Sequence, residues 1–314
     1  MEFGYYLRPS VTYPAMIDLA QHAEELGYWG VFLNDHVQGL RGDGMEPYLE
    51  AWTAMTGIGV QTKRIRLGHI VLFNSLRNPA FLAKSISTID RMTGGRYEVI
   101  LGAGWNPPEY EGYDLMELGR GMPSAGERVD RMKEALIILR GMFDNEVFSY
   151  DGKYWALKNA VNLPQPVQSP MRISVGGSKP RVMRIAVKYA DGLNSGGGIN
   201  SIKETIARLM PVLEKNNRRI EDFFYSGFAT QVTVTKNAEE YDALTKRVAE
   251  STGRMKTEVK EDIFAGPPEV LIEKLRSVSD MGVKMMVIFV RPAPTLKKMK
   301  EQATRFRDLV MTQL

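Results

Sequence analysis

The sequence predicts an α/β fold of the (β/α)8 type, a TIM barrel, with insertion loops over the C-terminal mouth of its strands. Three observations lead there. Strand-like and helix-like segments alternate along all 314 residues. Eight of the segments read as strands. The glycine-rich and polar motifs follow strand segments directly, where such barrels carry their sites. A doubly wound open sheet is the competing arrangement; strand count and motif placement favour the barrel.

Glu2–Leu7 alternates and reads as the first strand. Tyr13–Leu26 places Met16, Leu19, Ala20, Ala23 and Leu26 at helical spacing and stops at Gly27, a helix-ending glycine. Trp29–Leu33 is a short apolar run of the kind buried in a parallel sheet. Tyr48–Val60 reads as a helix, Ile65–Phe73 as the third strand, and Pro79–Met92 as a helix with proline in its first turn. After Gly94-Gly95, Tyr97–Leu101 forms the fourth strand. A Gly- and Pro-rich stretch follows, then a helix over Arg128–Met142 and a hairpin turning at Asp151-Gly152. Arg172–Val175, Gly192–Ser195, Phe224–Val234 and Lys284–Val290 complete the strands. Helices over Pro180–Tyr189, Ile199–Glu214, Ala238–Thr252, Pro267–Met281 and Thr295–Leu314 alternate with them. Nothing divides the chain, so we expect one domain over residues 1–314 with insertions around 103–125, 145–170 and 252–266.

The chain has no cysteine, which excludes disulfides, thiolate metal sites and cysteine nucleophiles. A net charge of +4 from 41 basic and 37 acidic residues is a weak bias, without the basic, aromatic-interleaved runs of a nucleic-acid binder. There is no signal-like N-terminus and no apolar run long enough to span a bilayer, so we expect a cytoplasmic protein with no membrane partner. Three histidines, His22, His36 and His69, with His22 inside a helix, make a histidine metal cluster difficult, and no metal site is expected.

Four motifs can carry chemistry. Asn34-Asp35-His36 follows the second strand. His36 suits a general acid or base and Asp35 can orient it or bond a cofactor edge; taken in isolation, the pair reads more readily as loop residues that cap and pack. Gly102-Ala103-Gly104-Trp105, with Glu109 beyond, follows the fourth strand. Small residues admit a flat ring or phosphate against the backbone and Trp105 can stack on it; a tight turn with a core tryptophan is the plain alternative. Glu109 can hold this loop or touch substrate. Gly176-Gly177-Ser178, with the cations Lys179 and Arg181, runs from a strand end into a helix start, which suits a phosphate or a simple serine-capped turn. Arg77-Asn78-Pro79 taken alone reads as a helix start with a solvated arginine.

Together these residues resemble the luciferase-like superfamily of FMN- and F420-dependent oxidoreductases. The resemblance covers nearly the whole chain. It includes Leu19-Ala20 through Ala23-Glu24-Glu25-Leu26-Gly27-Tyr28, Asn34-Asp35-His36, Leu67-Gly68 through Val71-Leu72, and Arg77-Asn78-Pro79 with Ala83-Lys84. It continues in Asp90 with Gly94-Gly95-Arg96, the Gly102–Tyr110 loop, and Gly176-Gly177-Ser178 with Ala190-Asp191-Gly192. It ends in Gly266-Pro267-Pro268-Glu269 with Gly282-Val283.

The resemblance implies a cofactor ring across the strand ends, its phosphate at Gly176-Gly177-Ser178, and a non-prolyl cis peptide behind the ring, here Ile70–Val71. Asp35 and His36 match positions that face the ring in F420 enzymes. Trp105 departs from an acidic residue found in some F420-dependent dehydrogenases, which points away from their sugar-phosphate substrate. F420 is the expected cofactor, exchanging a hydride with a small organic substrate. The alternatives are an FMN-dependent monooxygenase using O2 and a partner flavin reductase, and a non-catalytic flavin-binding paralogue. Family members form homodimers or higher homo-oligomers, with the early helices at the interface. Met116, Leu118 and Met122 suit a partly hydrophobic pocket or, equally, an oligomer contact.

Overall fold

A computed structural model describes residues 1–40, 42–290 and 295–314. Eight strands form a closed, wholly parallel barrel: β1 (Glu2–Tyr6), β2 (Gly30–Leu33), β3 (Arg66–His69), β4 (Tyr97–Gly102), β5 (Ile173–Gly176), β6 (Gly192–Gly196), β7 (Phe224–Val234) and β8 (Val283–Val290). Each pairs with its sequence neighbour, and β8 returns to β1 with Glu2 opposite Met285 and Tyr5 opposite Ile288. β1 to β5 are almost continuously buried because both faces are covered, one by helices and one by the barrel interior.

Alternate residues point inward. Phe32 fills the lower interior, and a methyl group at Gly4, Gly30 or Gly68 would stand 2.6–3.0 Å from its ring. Glycine at these facing positions therefore lets one large side chain occupy the centre. Ile70, Ile100, Met285 and Val287 pack around it. The N-terminal end is plugged by charge: Glu98 accepts hydrogen bonds from Arg66 and Arg172, whose guanidinium groups lie over Trp29 (5.3 Å) and Phe224 (3.6 Å). The cavity among the described residues lies at the opposite end, where the strands finish.

Several boundaries differ from expectation for identifiable reasons. The second helix begins at Ala51, three residues late, because the Glu50 carboxylate caps it by accepting from Trp52 N (3.1 Å) and Thr53 N (2.7 Å). The third strand is interrupted: the Ile70–Val71 peptide is cis, as the resemblance implies, and pairing resumes at Leu72–Phe73 against Leu101 and Gly102. The stretch 252–266 contains a seven-residue helix, Lys256–Asp262, that its charged composition concealed. The 145–170 excursion is the expected hairpin, Val147–Asp151 with Ala156–Val161. It packs along helix Ala125–Asp144, with Glu134 accepting from Lys153 N and Tyr154 N, and lines no part of the mouth. No helix among the described residues is long and apolar enough to cross a membrane.

Candidate active site

The strand ends surround a cavity of about 540 Å³, within the usual range for small-molecule sites. Its walls come from successive strands: Asp35 and His36 after β2, Ile70 and Val71 at the break in β3, and Gly102 to Trp105 at the end of β4. Gly176 and Gly177 follow from the end of β5, then Asn194 and Gly196 from β6 and Phe228 from β7. Seven of the candidates, Ile70, Val71, Ala103, Gly104, Trp105, Gly176 and Gly177, thus meet around one space together with Asp35 and His36.

His36 is buried and its Nδ1 lies 2.7 Å from Oε2 of Glu109, which is itself fully buried. A carboxylate only accepts, so Nδ1 carries the proton and donates it; in the neutral imidazole this leaves the lone pair on Nε2. Nε2 has no partner among the described residues. The second oxygen of Glu109 accepts from Val37 N at 2.8 Å, so both oxygens are committed. Glu109 reaches this position because Asn106-Pro107-Pro108 starts a one-turn helix, Pro107–Gly112, that points it back toward β2. The imidazole is packed edgewise against Phe73 (6.0 Å) and Trp105 (5.6 Å).

Asp35 does not orient His36, one of its two expected roles; Glu109 does. The Asp35 carboxylate is held instead by Arg77, at 2.6 and 3.0 Å, and by Phe73 N at 2.9 Å. This fastens the end of β2 to the segment that follows the β3 break. Arg77 also reaches Glu50 at 2.6 Å and lies over Trp52. It is not the solvated cation expected at a helix start. Burial alone would make Arg77 easier to deprotonate, but Asp35 and Glu50 outweigh it and hold the guanidinium more firmly charged than usual. Burial likewise pushes Glu50 up, yet the Thr53 hydrogen bonds and Arg77 bring it below the ordinary carboxylate range. Behind them Trp52 stacks on His69 (5.5 Å, 8°), whose Nδ1 meets Tyr97 Oη at 2.6 Å; burial lowers its pKa.

Glycine is required at the mouth by close approach. A methyl at Gly102 or Gly176 would stand 2.2 or 2.6 Å from Val71, and one at Gly104 would stand 1.9 Å from Phe73. At the β5 turn, Gly177 N already donates to Asn194 O (2.8 Å), while the N–H groups of Ser178 and Lys179 have no partner among the described residues. They open helix Pro180–Tyr189, the arrangement that suits an anion. Ser178 does not cap that helix; Lys179 occupies the cap position and no side chain bonds the first turn. Arg181 turns outward to Asp130 and Gly126 O, away from the cavity.

Asn194, Gly196, Phe228 and Arg128 were not singled out from the sequence. Asn194 and Phe228 sit at inward positions of alternating strands and look there like ordinary interior residues. The signal for Asn194 and Gly196 was the unusually small, polar strand Gly192–Gly196.

A closed parallel barrel with all candidate groups at its C-terminal mouth defines a mouth-binding α/β barrel. The chain belongs to the luciferase-like monooxygenase family, which it matches over residues 1–270. It is 31% identical over 231 residues to the F420-dependent glucose-6-phosphate dehydrogenase of Nakamurella multipartita, covering 71% of this chain and 65% of that enzyme. The chain therefore spans just under two thirds of that relative's length. It is 31% identical over 179 residues to the pyrimidine monooxygenase RutA of Cronobacter sakazakii, covering 56% of this chain and 51% of that protein. Among solved structures, an F420-dependent secondary alcohol dehydrogenase in complex with an F420-acetone adduct superposes with a TM-score of 0.81 at 19% identity, over 99% of this chain and 98% of that one. At that identity the likeness speaks for the fold.

Proposed function

We propose that this chain is an oxidoreductase that uses F420 to exchange a hydride with a small organic substrate. The observation that carries the reading is the buried His36–Glu109 pair at a cavity bounded by glycines at three strand ends. The cavity fits such a cofactor: Gly102, Gly104 and Gly176 let Val71 and Phe73 pack directly on the backbone of the cavity wall, where larger residues would displace them, and the free N–H groups of Ser178 and Lys179 suit its phosphate. When bound, the deazaflavin supplies two-electron hydride chemistry. His36 takes or returns the proton of the substrate oxygen at Nε2, and Glu109 holds the tautomer that makes this possible. Asp35, anchored by Arg77, fixes the wall next to the β3 break. Phe73 and Trp105 limit the access of water to the imidazole.

The pyrimidine monooxygenase relative supports a second reading, with FMN in place of F420, O2 as co-substrate and a flavin reductase as partner. Under either reading we expect a cytoplasmic homodimer or larger homo-oligomer through the early helices, where Val60, Phe81 and Met92 are exposed. The role of His36 is tested with His36→Ala at saturating F420. Turnover falls by ~10²–10⁴-fold while cofactor affinity is retained. Turnover equal to wild type contradicts the assignment.

A further inference from the structure

Asn194 is a polar side chain of the mouth that the proposed chemistry leaves unused. It stands near the end of β6, is 4% exposed and lines the cavity. Its Nδ2 donates to Oγ of Ser226 on β7 at 2.9 Å, and Ser226 is fully buried. Its Oδ1 has no partner among the described residues and is open to solvent. A residue this buried, on the wall of a cavity, exposes that oxygen to the cavity. Asp35, by contrast, has both carboxylate oxygens engaged by Arg77.

The strands explain how the amide is held. Asn194 is in register with Gly176 on β5 and with Ser226 on β7. Side chains alternate across a strand, so Gly196, two residues on, shares the face of Asn194 and places nothing above its amide. Gly176 places nothing beside it. Ser226 takes the donor end of the amide, which leaves the acceptor end for the cavity. The backbone carbonyl of Asn194 accepts from Gly177 N at 2.8 Å. This ties the residue to the turn whose next N–H groups, those of Ser178 and Lys179, are free.

Asn194 therefore borders the stretch between the anion-suited turn and the wall of Val71, Gly102 and Gly176. In F420 and in FMN alike, the part of the molecule between phosphate and ring is a ribityl chain. Its hydroxyls can donate, and a lone carbonyl oxygen in the wall can only accept.

We infer that Asn194 is a binding residue for this polyol: its Oδ1 accepts a hydrogen bond from one ribityl hydroxyl, and Ser226 is the positioning residue that holds the amide for it. This rests on the reading of the cavity as the site of a phosphate-bearing ring cofactor, whichever of the two rings is bound.

Equilibrium titration tests the inference with the ring–ribityl–phosphate core of F420, with FMN, and with analogues of each in which a single ribityl hydroxyl is replaced by hydrogen. On wild type, one such analogue is expected to bind about three- to tenfold more weakly than its parent, the contribution of one hydrogen bond. Asn194→Leu keeps the volume and removes the acceptor, so the parent weakens by about that factor and the same analogue no longer differs from it. Asn194→Asp keeps an acceptor oxygen and keeps the difference, whereas Ser226→Ala lets the amide turn and shrinks it. Wild-type protein that binds the parent and every analogue alike, or a difference that persists in Asn194→Leu, overturns the role of Asn194 and leaves the cofactor reading standing. An undiminished difference in Ser226→Ala overturns the positioning role of Ser226. Binding of FMN without the deazaflavin core overturns the F420 reading, and the flavin series still decides the role of Asn194. Binding of neither parent overturns both. Parent and analogue are compared within each protein, so a variant's lost stability does not imitate the result, and the wild-type series needs no variant.

Discussion

Replacing Arg77 with alanine should destabilise the protein far more than loss of a surface arginine does. The Asp35 side chain is fully buried and that of Arg77 is 14% exposed, with contacts of 2.6 and 3.0 Å. Removing the guanidinium leaves the Asp35 carboxylate with only Phe73 N and takes from Glu50 a partner at 2.6 Å. Stranding one member of a buried pair costs ~3–5 kcal/mol, whereas an exposed pair contributes ~0–1 kcal/mol. At about 2.1 cal/mol/K of unfolding entropy per residue, a two-state chain of 314 residues then melts roughly 5–8 °C lower. Calorimetry on Arg77→Ala, Asp35→Asn and the double variant measures this and the coupling between the two sites. Arg77→Lys should recover only part of the loss, because an ammonium cannot reproduce the two-pronged contact. A drop below about 2 °C, or two single effects that simply add, would show that the pair does not hold the mouth as described.

Three further outcomes follow from the same geometry. Glu109→Gln has one acceptor oxygen for two donors, Val37 N and His36 Nδ1, so it should lower turnover by ~10²-fold or more; turnover within threefold of wild type argues against tautomer control. Gly104→Ala brings a methyl within 1.9 Å of Phe73 at a φ of +78°, so we expect ~1–3 kcal/mol of destabilisation and at least tenfold weaker cofactor binding; intact binding would mean the loop does not border the ring. The Glu50 carboxyl lies below its ordinary value of 4.5 when folded, so its stabilisation is fully present above that pH and is lost as pH falls through the lower folded value. The melting advantage of wild type over Glu50→Gln should therefore shrink on acidification below 4.5, and an advantage that persists to the lowest measurable pH contradicts this.

The barrel was legible because its signals are local. Helical spacing in Tyr13–Leu26, apolar runs such as Trp29–Leu33 and alternation in Phe224–Val234 each report burial directly. The mouth was legible in part because strand ends can be counted, which put Asp35, His36, Gly104 and Gly176 in one place. Partnerships were less readable. Arg77 sits between Leu76 and Asn78-Pro79, a context that announces a helix start and conceals an ion pair with a residue 42 positions away. Glu109 lies beyond two prolines that suggest a loop, although they open the single helical turn that delivers it to His36. Arg181 shows the opposite error: its spacing fits a phosphate turn, but its side chain follows the helix surface to Asp130. Long-range pairing leaves no periodic trace in a sequence, so these assignments required the fold.

Equilibrium titration of the purified protein with F420 and, separately, with FMN tests the central claim most directly, with cofactor fluorescence as the signal. The account predicts saturable quenching by F420, weakened in Gly104→Ala, and much weaker binding of FMN. Tight binding of FMN with none of F420 would contradict it and establish the monooxygenase reading in its place.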